Sequence, residues 1–353
     1  MTWLRRMWTV TSLELQQRMR GAAWYALLAV FVVVVLLVTV FTTIATWESD
    51  APGAVLYSLI VYFALLLGTL VVPALSGNAI NGDREAGTLA TTQVTLVTTT
   101  QLVLGKLLAA WITALGFLVA ALPFLLFALV LGGASVATAV VSLLVLSLQL
   151  AVVSAIGVGL SGLMRRPLFS VVSSYLVVAL LSIGTLIVFS LGGMVAQERV
   201  TQRYEVIDWE ASSEEIDPQT GLPVELVCTW QETEYQQPRF DRVWWVLAAN
   251  PYVLLSDAVP TSFDRFGNPD DLFGMIKSGV RQAQLQPEPY SWSECMSFAG
   301  PDYPSSREVI ERTTPSWAVG LGLHVLLAGG LVAGAIARTH APARRLAAGS
   351  RVA

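Results

Sequence analysis

The sequence predicts an all-α polytopic membrane protein with six transmembrane helices, an N-terminal amphipathic interfacial helix, and a mixed extracytoplasmic domain between the fifth and sixth spans. Three observations carry this prediction. Of the 353 residues, 54% are hydrophobic and 13% are charged, whereas soluble chains carry roughly a quarter charged residues. Six apolar runs reach the roughly 20 residues with which a helix crosses a bilayer. Basic residues gather in alternate connections between these runs.

Residues 1–21 are predicted to form an amphipathic entry helix. Large apolar side chains recur there near helical spacing, while Arg5, Arg6 and Gln16 fall on the other side, as in a helix that lies in the headgroup plane. The alternative is an unstructured basic leader that only sets the topology. A cleaved signal peptide is disfavoured, because the next apolar run is about twice as long as a signal-peptide core.

Five spans are predicted within residues 22–195 and the sixth within residues 316–338. As helices they satisfy their backbone hydrogen bonds internally, which lipid requires. Their expected bounds are Ala22–Thr46, Ala54–Leu75, Leu107–Leu131, Val136–Leu160, Leu168–Val195 and Trp317–Ala337.

The orientation follows from the basic residues, since Lys and Arg near helix ends stay on the cytoplasmic side. They precede the first span, occupy the second and fourth connections, and recur in the basic tail, residues 339–353. The short connections Trp47–Gly53 and Gly132–Ser135 contain none. Both termini are therefore predicted to be cytoplasmic. Many arginines, few lysines and spans rich in small residues favour a bacterial plasma membrane.

The connection between the second and third spans, residues 78–106, is the polar segment around which the prediction is organised. Gly82 is expected to end the incoming helix, with acidic residues at the start of a short new helix, where the helix dipole favours them. Gly87 is expected to permit a close approach of the backbone. The segment is either a helix that docks into a cytoplasmic partner or a loop whose charges only keep it in water. Its charged residues are Asp83, Arg84, Glu85 and Lys106.

A short motif in this segment favours the docking interpretation. Glu85, Gly87, Thr88 and Leu89 form E-x-G-T-L, and Gly105–Lys106 follows just before the third predicted span. The pattern resembles that of the ABC-2 type permeases, the transmembrane subunits of ABC exporters, although the proline usual between its two parts is missing. In that family the loop after the second span is a coupling helix that contacts the ATPase. The resemblance implies an ATPase-coupling surface made of Asp83, Arg84, Glu85, Gly87, Thr88 and Leu89.

The resemblance also implies a function and partners. The chain would be the permease of an ATP-driven exporter that moves a hydrophobic or amphipathic substrate out of the cytoplasm or inner leaflet. It would work in lipid with a pair of ABC ATPase subunits and a second permease, either a copy or a paralogue. A phosphate-cradling G-x-x-x-x-G-K-[ST] loop is absent from the sequence, so the partner would bind ATP and magnesium. For the chain itself we expect no enzymatic activity, cofactor, metal or nucleic acid.

Ion-coupled transport is disfavoured, because the predicted spans contain no Asp, Glu, Lys or Arg and only one histidine, His324. Intramembrane ion pathways usually combine several such groups. Packing, or a hydrogen bond to a neighbouring helix, is the expected role of His324.

Residues 196–315 separate the fifth and sixth spans and hold 20 of the 25 acidic residues but 9 of the 21 basic ones. The topology places this segment outside the cytoplasm. Its apolar stretch Val243–Val259 is predicted to dip into the interface or to dock on the membrane helices, not to form a seventh span. Its carboxylates are expected to be solvated. The main alternative function is a membrane-anchored extracytoplasmic sensor or binding protein, and a membrane-embedded enzyme comes third.

Both cysteines of the chain, Cys228 and Cys295, lie in this segment. An oxidising exterior favours a disulfide between them, and two free buried thiols are the alternative. The bond would close a loop of 68 residues, from Cys228 to Cys295. In the chain-entropy description, such a bond adds ~4 kcal/mol to the free energy of unfolding. Titration of the unfolded, non-reduced protein should therefore find no reactive thiol, and reduction should release two. Two reactive thiols before reduction would exclude the bond.

Overall fold

A computed structural model describes residues 2–48, 51–89, 97–213, 215–216, 224–225, 227–287, 292–293 and 304–339. This part of the chain is mostly helical. Its helices, in chain order, are α1 (Trp3–Met19), α2 (Ala22–Ala45), α3 (Pro52–Ser76), α4 (Asn81–Glu85), α5 (Thr99–Val130), α6 (Val136–Leu163), α7 (Pro167–Ala179), α8 (Thr185–Val195), α9 (Pro251–Ala258), α10 (Leu272–Gln282), α11 (Ser306–Arg312) and α12 (Trp317–Thr339).

Within the described residues, six helical segments are long and apolar enough to cross a membrane, as predicted. They are α2, α3 with its continuation through α4 to Glu85, α5, α6, the continuous pair α7–α8, and α12. The bounds agree with the sequence except for the third span, which begins at Thr99 and not at Leu107. Thr98 and Gln101 form a capping box there: the Thr98 hydroxyl accepts from the Gln101 amide, and the Gln101 side chain accepts from the Thr98 amide. Gly105 and Lys106 therefore lie inside the helix.

The two central spans are α3 and α6. Within an apolar stretch of 18 residues in each span, 61% of the second span and 56% of the fourth are buried in the protein, compared with 17% of the fifth. Close approach is possible because α6 carries glycines where its neighbours cross it. A Cβ on Gly157 would lie 1.9 Å from the Ser76 hydroxyl of α3, and one on Gly159 would lie 2.7 Å from Leu331 of α12. These glycines therefore serve helix packing.

Two strands follow α8 and form a long antiparallel ribbon. They are β1 (Gln197–Ile207) and β2 (Cys228–Pro238), and the short β3 (Trp292–Ser293) pairs in parallel with β1. Most residues of the ribbon are exposed or half-buried on both faces. Ionic contacts connect the two strands near the start of β1, where the Arg239 guanidinium contacts Glu198 and donates to Asp241 at 2.7 and 2.8 Å.

Cys295 lies outside the described residues, so its bond to Cys228 stays a prediction.

Helices α9, α10 and α11, which we call the cap, pack on the bundle at the end where α3 begins. The Tyr62 hydroxyl of α3 donates to the Tyr252 carbonyl at 3.2 Å, and the two rings stack. Phe273 is fully buried against Tyr62. The stretch Val243–Val259 therefore docks on the membrane helices, one of the two predicted arrangements. It contains a 3₁₀ helix at Trp244–Ala249 followed by α9, too short for a span.

One buried carboxylate joins the cap to the last span. Asp257 of α9 has a fully buried side chain, and its Oδ1 accepts from Arg281 Nε at 2.7 Å. Its Oδ2 accepts from the amides of Ser316 and Trp317, at 2.7 and 2.9 Å, and from the Ser316 hydroxyl. The carboxylate therefore satisfies the first amides of α12, where the helix dipole also favours a negative charge.

We expect Asp257→Ala to destabilise the protein by about 3–5 kcal/mol, because it leaves the Arg281 guanidinium buried without a counter-charge. Thermal unfolding in detergent, followed by tryptophan fluorescence, measures the loss. Asp264→Ala is the matched control, since the Asp264 carboxylate also accepts from two backbone amides but is exposed. Equal destabilisation by the two substitutions would contradict the assignment.

Candidate coupling site

Helix α4 is fixed to the bundle through its first residues. The Ser161 hydroxyl of α6 accepts from the amides of Ile80 and Asn81 at 3.0 and 3.1 Å. The buried Asn81 side chain donates to the Ser170 hydroxyl of α7 at 3.1 Å. Because these contacts hold the chain from Ile80 onward, the helix begins at Asn81. The prediction that Gly82 breaks the incoming helix was wrong: Gly82 lies within α4.

Arg84 is directed back toward the bundle. Its Nη1 donates to Asn81 Oδ1 at 2.6 Å and to the Met164 carbonyl at 2.8 Å. Arg165 and Arg338 are its electrostatic neighbours, so the end of α12 lies at the same end of the bundle as α4. The Arg84 side chain therefore joins α4 to the end of α6, where the last carbonyls of a helix need donors.

Lys106 is the centre of a buried charge cluster. Its side chain is 2% exposed and is paired with Asp83 of α4 at 2.7 Å and with Glu14 of α1. A buried ammonium group is stable only when it is paired and hydrogen-bonded. The cluster therefore ties three helices, α1, α4 and α5, at one point.

Helix α1 packs along the first turns of α5. The buried Thr11 hydroxyl donates to the Gly105 carbonyl at 3.1 Å, and Gln101 Nε2 donates to the Trp3 carbonyl at 3.1 Å. A Cβ on Gly105 would lie 2.9 Å from Val10, so glycine permits this approach. Burial lowers the pKa of the Arg18 guanidinium, and the nearby Glu14 carboxylate opposes that shift. The predicted entry helix forms, and its position in the headgroup plane stays a prediction.

The residues after α4 form an exposed turn. Glu85, Gly87 and Thr88 are exposed and Leu89 is half-buried. Gly87 has φ +70°, and no described residue lies within 4 Å of the position that a Cβ would take. The described residues therefore show no close approach at Gly87, and glycine serves the left-handed conformation that ends a helix. Residues 90–96 lie outside the described residues.

The six residues of the predicted coupling surface thus divide into two sets. Asp83 and Arg84 hold α4 in place, whereas the exposed Glu85, Gly87 and Thr88 and the half-buried Leu89 lie at or just after the free end of the helix. Sequence reasoning missed the residues that receive α4 on the bundle. Glu14 could have been suspected, because it is the one acidic residue in a basic entry helix. Ser161 and Ser170 could not, because small polar residues are common in membrane helices. The missed residues are Glu14, Ser161 and Ser170, which receive α4, and Asn81, the residue of α4 that donates to Ser170.

Replacement of Lys106 by Met should loosen α1, because the carboxylates of Glu14 and Asp83 would lose their shared cation. We expect faster tryptic cleavage at Arg18 and Arg20, measured by mass spectrometry of the released peptides. The matched control is Lys277→Met, which removes the chain's other lysine, a buried residue of the cap. Unchanged cleavage in the Lys106 variant, or equal acceleration in the control, would contradict the role of the cluster.

Other kinds of site find less support in the described part of the chain. No group of three or more His, Cys, Asp or Glu side chains there could hold a metal ion. His324 is buried and hydrogen-bonded, as expected.

No protein-family model and no curated protein matches the chain. The likeness to ABC-2 permeases therefore depends on the motif residues and the six-span architecture.

Proposed function

We propose that this chain is the transmembrane subunit of an ATP-driven ABC exporter. The observation that carries the proposal is the pairing of an exposed turn, Glu85–Thr88, with a helix whose other side is tied to α5, α6 and α7 and, through Lys106, to α1. A partner that binds this turn would act on α1, α5, α6 and α7 together. A loop whose charges only kept it in water would not need buried ionic and hydrogen-bonded contacts of this kind.

The contacts define how a displacement of α4 would spread. Asp83 would transmit it through Lys106 to α5 and α1. The paired amides on Ser161 would transmit it to α6, and the Asn81 side chain would transmit it to α7 through Ser170. In the proposed mechanism, closure of the ATPase pair on ATP moves α4 as a lever, and the spans rearrange to release a hydrophobic or amphipathic substrate outward.

The proposed assembly contains two permeases, either two copies or this chain and a paralogue, with two ATPase subunits that bind ATP and magnesium. It lies in a bacterial plasma membrane with both chain termini cytoplasmic. The cap and the ribbon then lie outside. Arg165 and Arg338, beside α4, agree with that orientation, since basic residues stay on the cytoplasmic side.

A membrane-anchored extracytoplasmic sensor is the second candidate. The ribbon of β1 and β2 favours it, because two strands exposed on both faces are marginal alone and offer a large surface to a ligand. The sensor hypothesis leaves the contacts around α4 without a role, so we favour the exporter.

Substitution of the exposed turn tests the proposal. Glu85→Ala removes an exposed charge from the docking turn, and Gly87→Ala places a side chain in the left-handed conformation. We expect each to lower permease-dependent ATP hydrolysis roughly tenfold or more, a loss of about 1.4 kcal/mol or more in activation free energy. The measurement is ATPase activity of the complex purified in mild detergent from its native host.

Glu234→Ala on the ribbon is the control, since it removes an exposed acid from the opposite end of the bundle. All variants should reach the membrane in equal amounts. Unchanged ATP hydrolysis in both turn variants would refute the coupling assignment. If no protein with a phosphate-binding loop copurifies with the wild-type chain, the sensor hypothesis replaces the exporter.

A further inference from the structure

Four arginines gather at the end of the bundle that carries α4. Arg84 belongs to α4, Arg338 belongs to the last turn of α12, and Arg165 and Arg166 form the connection between α6 and α7. Arg84 is half-buried and the other three are exposed. Arg165 and Arg338 are the electrostatic neighbours of Arg84. The four side chains therefore form one basic surface, which we call the arginine cluster.

Helix packing brings these arginines together. Arg84 Nη1 donates at 2.8 Å to the carbonyl of the residue that precedes Arg165. On the other side of α6, a Cβ on Gly162 would lie 2.5 Å from Ala335, one turn before Arg338. The contacts of α6 with α4 and with α12 therefore fix where the arginines lie.

The arginine cluster lacks a counter-charge among the described residues. No carboxylate there forms an ion pair with any of its four guanidinium groups. Both Nη1 hydrogens of Arg84 hold α4 in place, and its other three N–H donors have no partner in this part of the chain. The predicted cytoplasmic segments contain three acidic residues, Glu14, Asp83 and Glu85, and the first two are paired with Lys106. Because like charges repel, an anion among the arginines would be favourable.

Helix α7 begins within the arginine cluster. Arg166 is its N-cap and makes no side-chain capping hydrogen bond, and Pro167 follows as the first helical residue. The amides of a first helical turn lack partners inside the helix, and the dipole places partial positive charge there. The Arg166 guanidinium lies 6.0 Å from the centre of the Phe169 ring. The start of α7 therefore adds to the positive potential of the cluster.

Apolar side chains continue from the arginine cluster along α7. Leu168, Val172 and Leu176 are exposed at four-residue spacing, so they lie on one face of the helix. The span that α7 begins is also the least buried of the six. A molecule with both an anionic group and hydrocarbon chains would contact the arginines and this face together. A free phosphate would use the arginines alone.

We propose that the arginine cluster binds the phosphate of an anionic membrane lipid, whose acyl chains lie along the exposed face of α7. Basic groups between membrane helices at a membrane surface suit anionic head groups, and the guanidinium group can bind phosphate through two parallel N–H···O bonds. The phosphate would offset the repulsion between arginines of three elements and so stabilise their packing. This site goes beyond the proposed export function, and lipid binding needs neither ATP nor an ATPase.

Native mass spectrometry of the full chain in mild detergent tests the site. The delipidated protein is titrated with a phosphatidylglycerol, which is anionic, and with the phosphatidylcholine of the same acyl chains, which has no net charge. Wild-type protein should bind phosphatidylglycerol roughly tenfold or more tightly, because each basic residue at the surface favours an anionic lipid several-fold. Joint substitution of Arg165→Gln and Arg166→Gln should remove most of this preference. Arg338→Gln should lower it several-fold, and it tests the site from a different helix if the double variant fails to fold.

The matched control is the joint substitution of Arg199→Gln and Arg265→Gln. It removes two exposed arginines, one from the ribbon and one from the loop between α9 and α10, at the opposite end of the bundle. Arg265 also lies over a phenylalanine ring, as Arg166 does. The control should retain the preference of the wild-type protein for phosphatidylglycerol.

Four results would overturn the proposal. They are an absence of preference in the wild-type protein, an unchanged preference in the Arg165/Arg166 and Arg338 variants, an equal loss in the control, and displacement of phosphatidylglycerol by millimolar inorganic phosphate. The last result would assign the arginine cluster to a free phosphate. If the arginine variants keep the lipid preference but lose a copurifying ATPase, the surface belongs to a protein partner. Because the titration contains no ATPase, its failure is distinct from failure of the coupling assignment.

Discussion

The Asp257 carboxylate is the contact on which the arrangement of the cap and the last span depends. It balances the Arg281 guanidinium and satisfies the first amides of α12. A buried charge with one partner removed costs several kcal/mol, so the three elements hold their positions together. The position of α12 in turn places His324 against Gln149 and the Ala249 carbonyl. The contact between His324 and Gln149 inside the bundle therefore depends on a carboxylate of the cap.

A buried ion pair between helices also holds the opposite end of the bundle. There the buried cation is Lys106, and its two carboxylates come from an entry helix and a short connecting helix. At both ends, burial of a cation is unfavourable unless it is paired. Arg281 and Lys106 are each paired with carboxylates from distant parts of the chain. Such contacts add geometric specificity where apolar packing alone would let helices slide. Under the proposed function, the Lys106 cluster would transmit the displacement of α4 by the ATPase to α5 and α1.

The spans were predictable because length and hydropathy are local properties of the sequence, and lipid leaves helices few alternatives. Helix α4 was predictable in outline from Asp83 to Glu85, but its start depended on Ser161, which lies about 80 residues away. The partner of Lys106 on α1 is 92 residues distant, and no periodicity reports such a pairing. Gly87 shows a further limit: sequence marks a glycine but does not distinguish a left-handed turn from a close contact.

The position of α12 also has a consequence for biosynthesis. Asp257 and Arg281 are synthesised before the amides of Ser316 and Trp317 that complete their network, and His324 follows later still. Until the last span is made, Asp257 lacks the amides of Ser316 and Trp317, and Gln149 lacks its contact with His324. The arrangement of the five earlier spans is therefore incomplete until α12 packs against them and supplies these contacts.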